Sequence, residues 1–484
     1  MNQTKAWQPL YRRCGVPAFL VALACVVGGC SSSDGDTGQA SYGRLRVRDG
    51  WFVDPAGRVV LLHGVNVVDK RPPYLPSSDE LNDADADAMR DLGFNVVRLG
   101  FIWKGLEPEP GVVDRTYLSR FVALVRLLTS RGLYVLVDAH QDLWNERFGG
   151  EGAPDWAVFQ PAQDPVAFNW GLSYFLNAPI GNAFEDFWKD RDGTQTRFIE
   201  TWKEVARAFA QDDGVLGYDV LNEPWTTASW FVPQESTTTE PFYRRIIPAL
   251  REVDPERTVF WVLALPGVVG ISSDLGVLGE ENLALSFHVY CATSIFLRIY
   301  LDDYCAQATA PAFDKSRAAR DHQSSGWLMT EFGASDFLPD IARHAAVADQ
   351  NLVGFTHWAW KLYDDPTGDV DEAIVENDTG PITFKPKMPI LVRAYARAIA
   401  GTPISMSFDP DTGAFDLTFV PDPSVSAATE IWLPLAQHYP AGYEATVSGG
   451  TWAPSRRDER VLEVTAASGA DLVSVTIRAA SGSR

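Results

Sequence analysis

The sequence predicts an α/β protein, a (β/α)8 TIM barrel followed by a small C-terminal β-sandwich. Short apolar, β-branched runs alternate with longer stretches of helical period, and eight such strand candidates can be counted. Several runs are apolar throughout, as in Tyr134-Val135-Leu136-Val137, which suits a sheet buried on both faces. Beyond Gly401 the pattern changes to alternating segments separated by Pro, Gly and Asp turns, the pattern of antiparallel strands.

The predicted barrel strands run Val59 to Leu62, Asn95 to Leu99, Tyr134 to Val137, Gly217 to Leu221, Val259 to Leu263, Ala284 to Phe287, Trp327 to Thr330 and Gly354 to Thr356. Helical stretches separate most of them: Asp83 to Leu92, Arg115 to Arg131, Thr194 to Ala210, Glu240 to Val253, Phe337 to Gln350 and Met388 to Ala400. The sandwich is expected from Phe415 to Phe419, Glu430 to Leu433 and Leu472 to Ile477. These assignments divide the chain into a barrel over 42–401 and a sandwich over 402–484.

The N-terminal thirty residues have the pattern of an export signal, because Lys5, Arg12 and Arg13 precede an apolar run from Val16 to Val27 that is too short to span a bilayer. The run ends in Val27-Gly28-Gly29-Cys30, which resembles the processing site of bacterial lipoproteins, so Cys30 is expected to be lipidated; an ordinary signal peptide cut nearby is the alternative. Residues 31–41, rich in Ser, Gly and Asp, are expected to be a flexible tether. The chain is therefore expected to be secreted or held at a bacterial cell surface. Export leaves Cys291 and Cys305 in an oxidising compartment, where a disulfide is expected and two buried thiols are the alternative. Two cysteines without nearby histidine pairs make half a ligand set, so no metal is expected, and no cofactor.

Composition narrows the partners. With 46% hydrophobic and 21% charged residues the chain can bury a sizeable core. A formal net charge of −22 repels phosphate backbones, which argues against nucleic acid as a partner. No obligate protein partner is predicted. The 16 Trp, 15 Tyr and 26 Phe are more than a core requires and suit stacking on the apolar faces of sugars.

In a (β/α)8 barrel the reacting groups sit at the C-terminal ends of the strands. Residues at or just past the predicted ends are Arg98, His140 with Asp142, Asn222 with Glu223, His288 with Tyr290, Glu331 and Trp358. Glu223 and Glu331, on strands four and seven, supply the two carboxyl groups that glycosidic cleavage needs, one to protonate the leaving group and one to capture the oxocarbenium-like centre. A separation of about 5 Å would mean retention of configuration, and about 6.5 to 9.5 Å inversion.

Tyr218-Asp219-Val220-Leu221-Asn222-Glu223-Pro224 resembles the fourth-strand motif of the retaining clan A glycoside hydrolases, and the ordered set is similar to the active site of glycoside hydrolase family 5. The resemblance implies Glu223 as acid/base and Glu331, in Met329-Thr330-Glu331-Phe332-Gly333, as nucleophile. It further implies Asn222 on a sugar 2-hydroxyl, Arg98 and Tyr290 on Glu331, His288 supporting Glu223, and His140 and Trp358 in the sugar subsite.

Three local matches resemble the endoglycoceramidases of that family: Leu61-Leu62-His63-Gly64-Val65-Asn66 followed by Lys70, Asp138-Ala139-His140-Gln141-Asp142, and Trp170 before Gly171-Leu172-Ser173-Tyr174. They imply sugar contacts for Lys70, Asp142 and Trp170, and a glycosphingolipid substrate presented in micelles or membranes. A ceramide would need an apolar slot beside the acid/base, for which Trp225, Trp230, Phe231, Val232 and Ile295-Phe296-Leu297 are candidates, with ordinary core packing the alternative.

The segments Leu143 to Gly150 and His357 to Lys361 depart from the broad-specificity members, which leaves glucosyl-linked and galactosyl-linked ceramides both open. A cellulase or β-glucosidase of the same family and a surface-anchored carbohydrate-binding protein on an inactive barrel are the other readings. Two carboxylates in place argue against the last.

Overall fold

Strands His63–Val67, Val96–Ile102, Tyr134–His140, Val215–Asp219, Thr258–Val262, Leu283–Val289, Gly326–Phe332 and Gly354–His357 pair in parallel and close into an eight-stranded barrel. The computed structural model describes residues 43–166, 170–226, 234–264 and 273–480, together with the backbone but not the side chains of Trp170 and Phe296. The export signal, Cys30, the tether, Trp230, Phe231 and Val232 lie outside the described residues.

Every residue of these eight strands is buried, which is why their sequences are apolar with little alternation. Val96, Leu136, Leu216, Phe260, Ala284 and Leu328, one from each of six strands, pack in one cluster with Leu45 and Phe52 from the segment preceding the barrel. Helices such as Asp83–Asp91, Arg115–Thr129, Thr194–Phe209 and Thr239–Arg251 return the chain between strands and bury their apolar stripes against the sheet. Local chemistry starts two of them. Asn82 forms a reciprocal capping box with Asp85, and the Asp114 carboxylate accepts from the backbone N–H groups of Thr116 and Tyr117 at 2.8 and 3.0 Å.

The first barrel strand is His63–Val67, not Val59 to Leu62. Val59–Val60 is a short strand paired antiparallel with Ala398 and Ile399. The apolar run was the stronger sequence signal, but register is decided by two residues downstream of it. Asn66 donates from Nδ2 to the Thr330 and Thr356 carbonyls at 2.9 and 3.2 Å, tying the first strand to the seventh and eighth. At Gly64 a β-carbon would lie 1.8 Å from the Val96 carbonyl oxygen, so the first two strands approach as closely as they do because no side chain is there.

The expected helix from Met388 to Ala400 is also corrected. Helix ends at Leu391, and Tyr395–Ile399 is a strand. Its alanines suit a helix, but antiparallel partners on both edges, Thr429–Trp432 and Val59–Val60, override that propensity.

This strand joins two parts of the chain that the boundary at 401/402 would separate. A seven-stranded sheet runs in the order Arg46–Arg48, Trp51–Val53, Val59–Val60, Tyr395–Ile399, Thr429–Trp432, Val461–Ala466, Gly450–Pro454. A four-stranded antiparallel sheet of Gly401–Asp409, Ala414–Pro421, Val473–Ala479 and Tyr443–Ser448 packs against it around Phe415, Leu417, Phe419, Ile431, Trp432 and Val475. The C-terminal sandwich thus draws strands from before the barrel as well as after it.

Candidate active site

The fourth strand ends at Asp219, so the chain from Val220 to Glu223 rises above the sheet toward the barrel mouth. Glu223 has φ of +39°, a left-handed conformation uncommon for a residue with a side chain and costing about 1–3 kcal/mol. Gln141 Nε2 holds it there by donating to the Asn222 and Glu223 carbonyls at 2.9 and 3.1 Å, while Asn222 Nδ2 donates back to the Gln141 carbonyl at 3.1 Å.

Arg98 lies wholly buried at the centre of the mouth. Its Nη1 donates to Glu331 Oε1 at 2.6 Å, its Nε to Asp219 Oδ2 at 2.9 Å and its Nη2 to Asn222 Oδ1 at 2.8 Å, with Asp138 Oδ1 3.0 Å from Nη2. One guanidinium fork therefore positions side chains from three other strand ends, a geometry a lysine cannot reproduce. The Tyr290 hydroxyl donates to the second oxygen, Glu331 Oε2, at 2.9 Å.

His288 Nδ1 stands 2.8 Å from Glu223 Oε1 and 3.3 Å from Glu331 Oε2, and one oxygen of each glutamate lies within 4.8 Å of the other. Burial raises the Glu223 carboxyl above the ordinary range against the pull of His288, with Glu331 and Asp142 adding to the rise. Burial opposes charge on His288, but Glu331 and Glu223 raise its imidazole.

On the other side of the mouth, Lys70 Nζ is 2.6 Å from Asp142 Oδ2, 2.7 Å from Asp365 Oδ2 and 2.8 Å from Thr367 Oγ1. Its three N–H groups are thereby occupied. The Lys70 ammonium also sits 4.6 Å from the centre of the Trp358 ring. His140 stacks on Trp358 at 5.1 Å between ring centres, and its Nδ1 is 2.8 Å from Asp138 Oδ2. Burial opposes its charge, but Asp138 and Asp142 raise the imidazole to about 10.

Lys70, His140, Asp142, Asn222, Glu223, Tyr290, Glu331 and Trp358 line one cavity of about 740 Å³, with Arg98 and His288 bonded to its carboxylates from beneath. The same cavity is lined by apolar side chains from the segment after the sixth strand, Ala292, Ile295, Leu297, Ala308 and Ala312, with Phe175 and Tyr304, interleaved with Arg298, Gln307 and Lys315. Of these, Leu297 and Tyr304 are 61% and 48% exposed. Cys291 and Cys305 are joined as a disulfide, tying helix Ala292–Leu297 to helix Asp302–Gln323 along that wall. Trp225 is buried with its ring against Tyr174 and Phe175 and does not line the cavity. Trp170 begins a single helical turn, Trp170–Leu172, and its side chain lies outside the described residues.

The sequence reading missed several residues of the site. Asn66, Asp138 and Asp219 face into the barrel above its apolar layer, within strands whose polar residues were a usable signal. Gln141 lies between two residues that were singled out. Asp365, Thr367 and Glu372 come from the loop after the eighth strand, which has no periodicity to place it. Glu372 Oε2 accepts from the Trp358 indole N–H at 2.9 Å, and burial, with Asp365 nearby, raises its carboxyl to about 8.

Among the described residues three groups have donor atoms spaced for a cation: His140 with Asp142 and Glu151, Glu223 with His288 and Glu331, and Cys291 with Cys305 and Asp340. In the first, Asp142 is already paired with Lys70, and in the third the cysteines are bonded to each other.

The cellulase model of glycosyl hydrolase family 5 matches residues 53–364, and the model of the glycoside hydrolase family 5 C-terminal domain matches residues 393–477. The chain belongs to glycoside hydrolase family 5. Within family 5 it is similar to endoglycoceramidase I of Rhodococcus hoagii, 30% identical over 443 residues that make up 88% of this chain and 84% of that protein. It is also similar to endo-glycoceramidase II from Rhodococcus sp. in two solved forms. The ganglioside GM3 complex has a TM-score of 0.77 at 25% identity, covering 90% of this chain and 100% of that one. The lactosyl-enzyme intermediate has a TM-score of 0.76 at 25% identity, covering 89% and 100%. The second family 5 match begins at residue 393, ahead of strand Tyr395–Ile399, which agrees with that strand belonging to the C-terminal sheets.

Proposed function

We propose that this protein is a retaining endo-β-glycosidase that hydrolyses the bond between the oligosaccharide and the ceramide of glycosphingolipids, releasing intact glycan and ceramide. The observation that carries the reading is a single cavity that holds two glutamates, with oxygens within 4.8 Å of each other, together with the polar cluster around Lys70 and apolar side chains from the helices after the sixth strand. That spacing suits direct attack, since an inverting pair leaves about 6.5 to 9.5 Å for water. The kinship with endoglycoceramidases, one of them solved as a lactosyl-enzyme intermediate and bound to ganglioside GM3, supports both the retaining chemistry and the lipid leaving group.

In the first step Glu223 gives its proton to the glycosidic oxygen while a Glu331 oxygen attacks the anomeric carbon. The carbon–oxygen bond breaks and ceramide leaves carrying that proton. In the second step Glu223, now ionised, takes a proton from water, whose oxygen attacks the same carbon and releases Glu331. Two inversions give retention. A carboxyl raised by burial suits the first role, because it must hold its proton until the leaving group needs it. Arg98 and Tyr290 orient the attacking carboxylate, each taking one lone-pair direction of a different oxygen and leaving the other for the carbon. Lys70, His140, Asp142 and Trp358 receive the sugar, and Ile295, Leu297 and Tyr304 receive the ceramide.

We also propose that the protein works outside the cytoplasm, as a secreted protein or a lipoprotein anchored through Cys30 at a bacterial cell surface. The Cys291–Cys305 disulfide supports an oxidising location.

Incubation with a defined glycosphingolipid in detergent micelles, beside a soluble β-glucan, tests the function. Intact oligosaccharide and free ceramide are expected from the lipid, no cleavage of the glucan, and no turnover by Glu331→Ser. Release of single sugars from the non-reducing end, or preferential cleavage of the glucan, refutes the proposal.

A further inference from the structure

Glu372 lies on the loop after the eighth strand and is 7% exposed, within the wall of the cavity. Two contacts fix its position. Its Oε2 accepts from Trp358 Nε1 at 2.9 Å, and its backbone carbonyl accepts from the Ala359 N–H at 3.0 Å, so the carboxyl is held at the edge of the indole. The other oxygen, Oε1, accepts no hydrogen bond among the described residues and lies at ion-pair distance, 3.6 Å, from Arg298 Nη2. Lys70, on the same ring, has all three of its N–H groups taken by Asp142, Asp365 and Thr367. A carboxyl oxygen that is held in place, accepts no hydrogen bond and is set in the wall of a ligand cavity can accept one from whatever fills the cavity.

We propose that Glu372 is a specificity-determining residue whose Oε1 accepts a hydrogen bond from a hydroxyl group of the sugar held beside Trp358. This rests on the glycosidase reading and deepens it. Glu372 reads the glycan through one hydroxyl, in addition to the sugar contacts proposed for Lys70, His140 and Asp142. The ligand class is a neutral pyranose with a hydroxyl directed at the strand-eight loop. Because the carboxyl is held in place, losing that hydroxyl loses the hydrogen bond without a compensating shift.

The test uses a soluble aryl β-lactoside and the series of its monodeoxy derivatives, with wild-type enzyme, Glu372→Ala and Glu372→Gln. Glu372→Gln keeps an acceptor for the Trp358 indole and puts an amide N–H toward the cavity. For wild-type enzyme, kcat/KM should fall about 2- to 10-fold when one particular hydroxyl is absent, the range expected for one hydrogen bond to an uncharged carboxyl group. For Glu372→Ala that derivative and the parent should be hydrolysed equally, with the parent itself slowed by the same factor, and Glu372→Gln should retain part of the discrimination. If every deoxy derivative carries the same penalty in wild type and Glu372→Ala, Glu372 only positions Trp358 and the proposal is overturned. Failure of the wild-type enzyme to hydrolyse either the parent lactoside or micellar glycosphingolipid would instead overturn the glycosidase reading, and this inference with it.

Discussion

Arg98 Nη1 lies 2.6 Å from Glu331 Oε1, and the same guanidinium is paired with Asp138 and Asp219, all three partners being buried. Removing the cation leaves three carboxyl groups facing one another in a dry barrel. Arg98→Ala is expected to lose about 3–5 kcal/mol of stability, the cost of breaking a buried pair from one side, read by chemical denaturation. Arg98→Lys keeps a charge but not the fork, so it should fold and lose roughly 100-fold in kcat, the equivalent of about 3 kcal/mol. Near-normal turnover by Arg98→Lys would contradict the assigned role.

Tyr290→Phe removes the hydroxyl that donates to Glu331 Oε2 at 2.9 Å and little else. The expected loss is about 1.5–3 kcal/mol of transition-state stabilisation, or about 10- to 100-fold in kcat, with the melting temperature almost unchanged. A fall in stability with kcat preserved would assign Tyr290 to the fold instead.

The acid role of Glu223 sets the alkaline limb of the pH profile. Burial raises its pKa, and the hydrogen bond and charge of His288 pull it back. Activity needs the protonated carboxyl and is lost as pH rises through that pKa. In His288→Gln the pull from the charge is gone and Glu223 rises further, so the alkaline limb of kcat/KM should move to higher pH even as the maximum rate falls. A limb that stays put or moves to lower pH would contradict the pairing.

Leu297 and Tyr304 line the cavity while remaining largely exposed. Leu297→Asp places a charge where ceramide is expected to lie. It should lower kcat/KM on micellar glycosphingolipid by at least about tenfold, an effect of about 1.4 kcal/mol, and leave hydrolysis of a soluble aryl lactoside within about twofold. Equal losses on both substrates would place Leu297 outside the lipid path.

The Cys291–Cys305 bond closes a loop with a sequence separation of 14. Loop-closure entropy for that length is about 3 kcal/mol, so Cys305→Ser or reduction should lower the melting temperature. Because the bond ties together the two helices that carry Ile295, Leu297 and Tyr304, reduction should also raise KM for the lipid more than for the aryl lactoside. An unchanged melting temperature on reduction would mean that the loop is held without the bond.

Some of this was legible in sequence because the physics is local. Strands buried on both faces must be apolar throughout, so Tyr134–His140 and Gly326–Phe332 could be recognised and their ends searched for polar residues. That search reached Arg98, His140, Asn222, Glu223, His288, Tyr290, Glu331 and Trp358. Propensity misled where partners distant in sequence decided the outcome. Val59–Val60 and Tyr395–Ile399 are strands of one sheet because each edge meets a partner, and neither segment contains that information by itself.

By itself, then, the sequence determined the barrel, its two glutamates at the ends of strands four and seven, and the class of bond they can break, since apolar periodicity and the chemistry of paired carboxyl groups are written residue by residue. Tertiary structure alone decided that the glutamates approach within 4.8 Å, that the sandwich borrows strands from before the barrel, and that Glu372 meets Trp358. These depend on loop paths and strand pairings between distant segments, and no local pattern specifies where such loops return.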